Sequence, residues 1–403
     1  MRPSLRTLLF RTHWLLGLTA GLVLALMGVT GALMSYEEAI VDALNAGRAT
    51  VVAADRTRLG PEALVARIEA QHPGLRVSGL TLSADPARAV RVRFAAAGPG
   101  ERPPSIHADP YEGTDRGAVA GEDTFETIRA LHRWLLLPGG GNGWGRTVTG
   151  ICALALLVFL GTGLYLRWPK LHGWRIWLRP SLARPGRPRW WSLHAVVGTW
   201  VVPVYLVIAL TGLWWSFESY RAGATYLLTG SWPEARPERP AGKPTAGKPP
   251  AGKPPGGRPE GGRERRPVAL DKAWQTFQAG EGAGAAIAIL TLPGGRDPNI
   301  RIRYLAHADD PPSARSEASF DAATGALLSA AHAADKPLGK RIAENMLEVH
   351  RGRFFGGAFA LIFCLAALAM PLFAATGITL YLLRRRAARR RGALPVRAEP
   401  VRA

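Results

Sequence analysis

Cysteine is scarce in this chain. Two occur among 403 residues, Cys152 and Cys364, each inside a long apolar run. They cannot supply a disulfide framework or a thiolate metal site, and they read as small packing residues. Acidic residues are also short in supply, 30 against 51 lysines and arginines, for a net charge of +21. No nucleic-acid-binding motif accompanies that charge, and no phosphate loop, zinc signature or nucleophile motif is present. The apolar runs carry no charged residue near their middle, which argues against a transporter, although Pro203, Pro371 and an internal duplication would suit one.

What is abundant is apolar length. Mean hydropathy is near zero, yet this average hides four segments, 14–35, 148–166, 195–216 and 358–383, of about 20 or more mostly apolar residues each, enough for a hydrocarbon core of about 30 Å. The first is too long, and too poor in small residues at a cleavage point, for a removable signal peptide. Basic residues mark the orientation. Arg2, Arg6 and Arg11 precede the first segment; Arg167, Lys170, Arg175, Arg179, Arg184, Arg187 and Arg189 lie between the second and third; Arg384 to Arg386 and Arg389 to Arg391 follow the fourth. All three flanks are expected in the cytoplasm, which places the two long insertions, 37–142 and 220–357, outside. The charge therefore reads as topology and contact with anionic lipid.

The first and third segments repeat one pattern: His, three residues, Gly, twelve residues, Thr-Gly, three residues, Ser, aromatic, Glu. It is His13, Gly17, Thr30, Gly31, Ser35, Tyr36 and Glu37 in one copy, and His194, Gly198, Thr211, Gly212, Ser216, Phe217 and Glu218 in the other. The remaining two segments match as well. Leu131-His132-Arg133 precedes the second and Val349-His350-Arg351 the fourth, with Thr162-Gly163 and Thr376-Gly377 late in each; the loop PGGGNG lengthens the first copy.

The insertions are duplicated too. Residues 61–71 read as a helix with Pro61 at its first position, followed by alternating stretches at 75–82 and 89–94 that end in 106–113, IHADPYEG. The second insertion runs helix 268–278, then strands 285–292 and 300–304 and the stretch 319–328. DPYEG and DAATG occupy equivalent turns, where glycine tolerates positive φ. Between them, AGKP repeats at Ala241, Ala246 and Ala251 suit a solvated spacer, or a basic tether.

The chain resembles the PepSY-associated transmembrane helix proteins, iron-regulated inner-membrane proteins of bacteria. The resemblance rests on HWLLG with TGALMSYE, LHRWLLL with TGLYL, LHAVVG with TGLWWSFE, and EVHRG, and it extends over nearly the whole chain outside the AGKP spacer and the arginine tail. It implies an α-helical membrane protein with four transmembrane helices, two small periplasmic α+β (PepSY-like) units and internal duplication. The family includes ferric-siderophore reductases resembling di-haem cytochromes, and it takes its name from a domain shared with peptidase-inhibiting propeptides. No flavin or nicotinamide domain follows the fourth segment, so the electron donor is expected to be a separate cytoplasmic or membrane partner.

The corresponding organisation is 1–36, cytoplasmic N-terminus and first span; 37–125, first periplasmic unit; 126–166, His segment and second span; 167–190, basic cytoplasmic loop; 191–220, third span; 221–267, spacer; 268–340, second periplasmic unit; 341–383, His segment and fourth span; 384–403, cytoplasmic tail.

Topology sorts the histidines independently of the resemblance. His13 and His194 open outgoing helices at the cytoplasmic face; His132 and His350 open returning helices at the outer face, about 25 to 35 Å away. Two imidazoles per face suit axial ligation of haem iron, and the absence of Cys-x-x-Cys-His indicates haem b, two copies, held without covalent attachment. Interfacial belt residues beside Trp14, Trp134, Trp190 and Trp191 are the plainer reading of any one histidine. Gly17, Gly21, Leu24, Gly28 and Gly31 share a face suited to a flat macrocycle or to close helix packing. Arg133 and Arg351 suit haem propionates or membrane-edge anchoring. His72, His107, His307 and His332 read as surface residues, and His172 as a reserve ligand. The expected function is that of an inner-membrane di-haem electron conduit that reduces periplasmic ferric iron, held as a ferric siderophore or another chelate, for iron uptake; the alternative is a non-redox PepSY envelope protein that binds or regulates a peptidase or another partner.

Overall fold

The computed structural model describes residues 3–53, 56–96, 104–168, 173–233, 268–294 and 297–392, with backbone alone for the last two. The AGKP repeats, His172 and Lys170 lie outside them.

In the first half, α1 (Leu5–Leu18) and α2 (Ala20–Ser35) lead into short helices α3 (Glu37–Leu44) and α4 (Ala46–Ala49), then α5 (Pro61–Gln71). Strands β1 (Val77–Ser83), β2 (Val90–Phe94), β3 (Ile106–Ala108) and β4 (Asp115–Ala118) follow, then α6 (Glu122–Trp134) and α7 (Trp144–Arg167). A short α8 (Trp174–Leu178) leads to the second half: α9 (Arg187–Ser216), α10 (Glu218–Thr229), α11 (Leu270–Ala279), β5 (Ile287–Thr291), β6 (Ile300–Leu305), β7 (Ser316–Phe320), β8 (Leu327–Ala331), α12 (Leu338–Glu344), α13 (Met346–His350) and α14 (Gly357–Gly392). Among the described residues three helices, α7, α9 and α14, are each long and apolar enough to cross a membrane, and α1 with α2 forms a fourth, broken candidate.

The first span differs from the continuous helix its sequence suggests. It bends by 54° at Thr19, where ψ falls to −83° and the hydroxyl turns back onto the carbonyls of Leu15 and Leu16. α2 packs most extensively on α14, and α7 on α9, so the halves interlock. Leu24, Cys152, Leu156, Val201, Tyr205, Ala209, Ala366 and Met370 fill the centre. Both cysteines are free and buried. Pro203 in α9 and Pro371 in α14 each remove one ladder N–H, a loss that membrane bundles tolerate.

The two α+β units join in one antiparallel sheet, ordered β4-β3-β2-β1-β5-β6-β7-β8. β1 pairs with β5 at the seam, with Thr81 opposite Ile289. Alternation sends Leu80, Val92, Ile106, Leu290, Ile302 and Phe320 into a common core beneath α5 and α11. Asp271 of α11 caps α5 by accepting from the Glu62 N–H at 2.8 Å, tying one unit to the other. The equivalent turns hold alike: Asp109 and Asp321 accept local backbone N–H groups, and Gly113 and Gly325 take φ of 66° and 74°.

Some elements depart from the sequence reading. The 106–113 stretch is a three-residue strand and a turn before β4, and 319–328 bridges two strands of a hairpin. Residues 218–229, assigned largely to the spacer, are helical, with Gly230 in the left-handed region closing the helix.

Candidate functional site

The histidines meet in pairs. His13 on α1 and His194 on α9 have ring centroids 6.3 Å apart; His132 at the end of α6 and His350 at the end of α13 are separated by 6.4 Å. The two pairs occupy opposite ends of the bundle, one beside the arginine-rich flanks and one beneath the sheet. Along α9, His194 and Thr211 mark the two levels, and 17 residues of helix span about 25 Å.

Each ring is tied down by a Thr-Gly threonine. His13 Nδ1 lies 2.8 Å from the Thr162 hydroxyl, His132 Nδ1 2.9 Å from Thr30, His194 Nδ1 2.7 Å from Thr376 and His350 Nδ1 2.7 Å from Thr211. The wiring is reciprocal within each half. The span bearing His13 supplies Thr30 to His132, and the span following His132 returns Thr162 to His13; α9 and α14 do the same with His350. The adjacent glycines lie under the rings. A Cβ on Gly31 would stand 3.1 Å from His132 Cε1, and one on Gly163, Gly212 or Gly377 3.6 to 3.8 Å from its histidine.

With Nδ1 engaged, Nε2 is the nitrogen left to bind a metal. Among the described residues no hydrogen bond reaches Nε2 of these four rings, and each ring keeps part of its surface accessible. Two metal–imidazole bonds of about 2 Å and two ring radii of about 1 Å add to about 6 Å, the spacing seen in both pairs. No group of three or more His, Cys, Asp or Glu converges among the described residues. Two neutral nitrogens do not complete the shell of a free ion, so the donor set suits a metal that brings a planar ring of its own ligands.

The arginine-end pair opens on a cavity of about 860 Å³. Gly17, Gly21, Gly163, Gly198 and Gly377 line it, and Gly17 has no neighbouring side chain to fill the space before it. Phe159 and Phe373 stand edge-on to His13 and His194, each 5.3 Å between centroids. Arg6, Arg11, Arg167, Arg187, Arg384 and Arg385 also border the cavity. The glycine face of the first span therefore divides: Gly17 and Gly21 border the cavity, whereas Gly28 abuts α14, where a Cβ would come within 2.4 Å of the Ala367 carbonyl.

The family model of the PepSY-associated TM region matches residues 10–384. The chain belongs to that family. A search of curated proteins finds no match. In this PepSY-associated TM protein the four histidines and four Thr-Gly pairs all fall within the matched region.

At the sheet end, Arg351 approaches Glu37 at 3.9 Å, and Glu37 also accepts from Arg129 at 2.6 Å. Arg133 lies 4.9 Å over the Trp134 ring, an edge-anchoring arrangement. Burial, opposed by the Met27 carbonyl, holds the His132 pKa down to about 4; burial, then His132 and Arg351, hold His350 to about 3. Both lie on short helices outside the spans, and both are neutral donors at ordinary pH.

Of the histidines read as surface residues, His307 and His332 are exposed and His72 pairs with Asp115 at 3.0 Å. His107 differs: it is buried, and among the described residues neither ring nitrogen has a hydrogen-bond partner. Ile106 and Ala108 face the helical core, and alternation turns His107 to the other side of the sheet. The residues missed from sequence are the threonines and the cavity arginines. The fourfold Thr-Gly signal was visible; its hydrogen-bond partners lie 102 to 182 residues away.

Proposed function

We propose that this membrane protein is a di-haem electron conduit that delivers electrons across the bacterial inner membrane to a ferric chelate, such as a ferric siderophore, in the periplasm. The observation that carries the reading is the presence of two half-buried histidine pairs at one spacing, each ring tethered through Nδ1, with no hydrogen bond to Nε2 among the described residues. Haem b, when bound, supplies one-electron transfer between ferric and ferrous iron, and bis-histidine ligation favours that over oxygen binding.

The chain's own groups do the rest. His13 and His194 would hold one haem, His132 and His350 the other. The small glycines clear space at the arginine end, where Arg11 and Arg187 are placed to meet carboxylates. The apolar centre keeps water from the interval between the levels. Arginine-rich flanks support a cytoplasmic location for that end, where a separate donor would dock, and a periplasmic location for the sheet.

An absorption spectrum of the purified protein tests the reading. A Soret band with two haems per chain is expected; protein purified from cells supplied with ample haem that shows no such band would sink the reading in favour of a non-redox envelope protein. Labelling by an impermeant thiol reagent tests the orientation. In intact spheroplasts a cysteine at Ser329 should react and one at Arg184 should not; the opposite pattern reverses the topology.

A further inference from the structure

We infer that Thr162, Thr376, Thr30 and Thr211 are positioning residues that fix the tautomer of the four histidines, each acting at the membrane face opposite the histidine of its own span. The inference rests on the di-haem reading and deepens it.

A threonine hydroxyl has a single hydrogen, and in all four cases it has a carbonyl acceptor four residues back: Val158 at 2.6 Å, Leu372 at 2.7 Å, Leu26 at 2.8 Å and Val207 at 2.6 Å. A second carbonyl, three residues back, lies within 3.3 Å of each hydroxyl. Donation into this carbonyl pair leaves only oxygen lone pairs to face the imidazole. Nδ1 must then carry the ring hydrogen and donate it to threonine. A neutral imidazole has one N–H, so Nε2 presents its lone pair.

This is the arrangement a metal-binding imidazole needs. An acceptor behind the ring fixes its rotation and raises the basicity of the ligating nitrogen. The following glycine keeps the ring's path clear, most tightly at Gly31. Thr-Gly thus combines acceptor and clearance, four times over. Because each bond joins two helices within one level, Thr211 on the helix of His194 serves His350, while Thr376 on the helix after His350 serves His194. A packing role would depend on the threonine methyl, whereas an acceptor role is kept by serine, which retains the hydroxyl.

The test compares Thr211→Val, Thr376→Val and the corresponding serine variants in full-length protein, reading haem content and the two midpoint potentials. Thr211→Val should weaken haem retention at the sheet end by about 10- to 100-fold. Where haem is retained, its potential should rise, because a poorer imidazole donor favours ferrous iron; a tenfold change in that preference is 59 mV for one electron. The arginine-end haem should keep its potential. Thr376→Val should do the reverse, and both serine variants should resemble wild type.

Nitrogen-15 NMR of the histidines in haem-free wild-type protein supplies a reading that survives if a valine variant does not fold: Nδ1–H rings are expected. Nε2–H rings overturn the proposal. So does wild-type protein with two haems whose valine variants leave both potentials unchanged or shift only the site at the other end of the threonine's span. Wild-type protein without haem overturns the underlying reading instead, whatever tautomer is observed.

Discussion

The two ends of the bundle use the same histidine–threonine parts in different surroundings. At the arginine end the pair opens on a cavity bordered by six arginines. At the sheet end, Glu37 and Glu38 meet Arg129, Arg351 and Arg353 beside the pair. The duplicated helices set the ligand geometry, as centroid separations of 6.3 and 6.4 Å attest. The flanking segments set access and charge. One end is suited to carboxylates that arrive from outside the chain; at the other the chain supplies its own.

The largest expected effect comes from breaking one pair at a time. His194→Ala should abolish the arginine-end haem and leave the sheet-end haem reducible; His350→Ala should retain the first and block delivery to an external ferric chelate. Losing one axial imidazole disturbs its own iron first, and a level about 25 Å away cannot substitute for it. Haem counts and redox titrations of the two variants decide the matter. Equal loss of both haems in each variant would show that the ends are not separate sites.

The next effect separates packing glycines from cavity glycines. Gly28→Ala would press a methyl group against the Ala367 carbonyl and the Met370 side chain, an overpacking expected to cost about 1–3 kcal/mol. Gly17→Ala meets nothing within 4 Å and should leave stability unchanged or slightly improved. Unfolding of the two variants in detergent would check this, and equal destabilisation would refute the division of the glycine face.

Much of this plan was legible in the sequence because its signals are local. Apolar length gave the spans, period-two alternation gave most strands, and the repeated spacing singled out four histidines and four Thr-Gly pairs. Thr19 escaped because the break in the first span needs no proline or glycine; a threonine hydroxyl turned onto its own carbonyls marks it. The shared sheet escaped because the β1–β5 seam joins residues about 200 positions apart, a pairing that neither strand specifies alone. His107 escaped for a related reason: its burial depends on which face of the finished sheet is covered, not on the polarity of its neighbours.

The smallest effect tests the difference in charge directly. Arg351 shares Glu37 with Arg129, and the Arg129 contact is shorter by more than an ångström. Arg351→Gln therefore leaves the carboxylate paired, and the loss should stay within about 1 kcal/mol, or roughly fivefold in haem retention at that end. Arg11 and Arg187 border the cavity on exposed positions, free to turn toward a carboxylate. Replacing both with glutamine should weaken retention at the arginine end by about tenfold or more, since hydrogen bonds to a charged group contribute about 1.5–3 kcal/mol each when water is excluded and less at an open mouth. Haem dissociation to an apoprotein acceptor, followed for each site by its own potential, measures both. A larger loss from Arg351→Gln than from the double variant would reverse the assignment, making the sheet end the one that depends on protein cations.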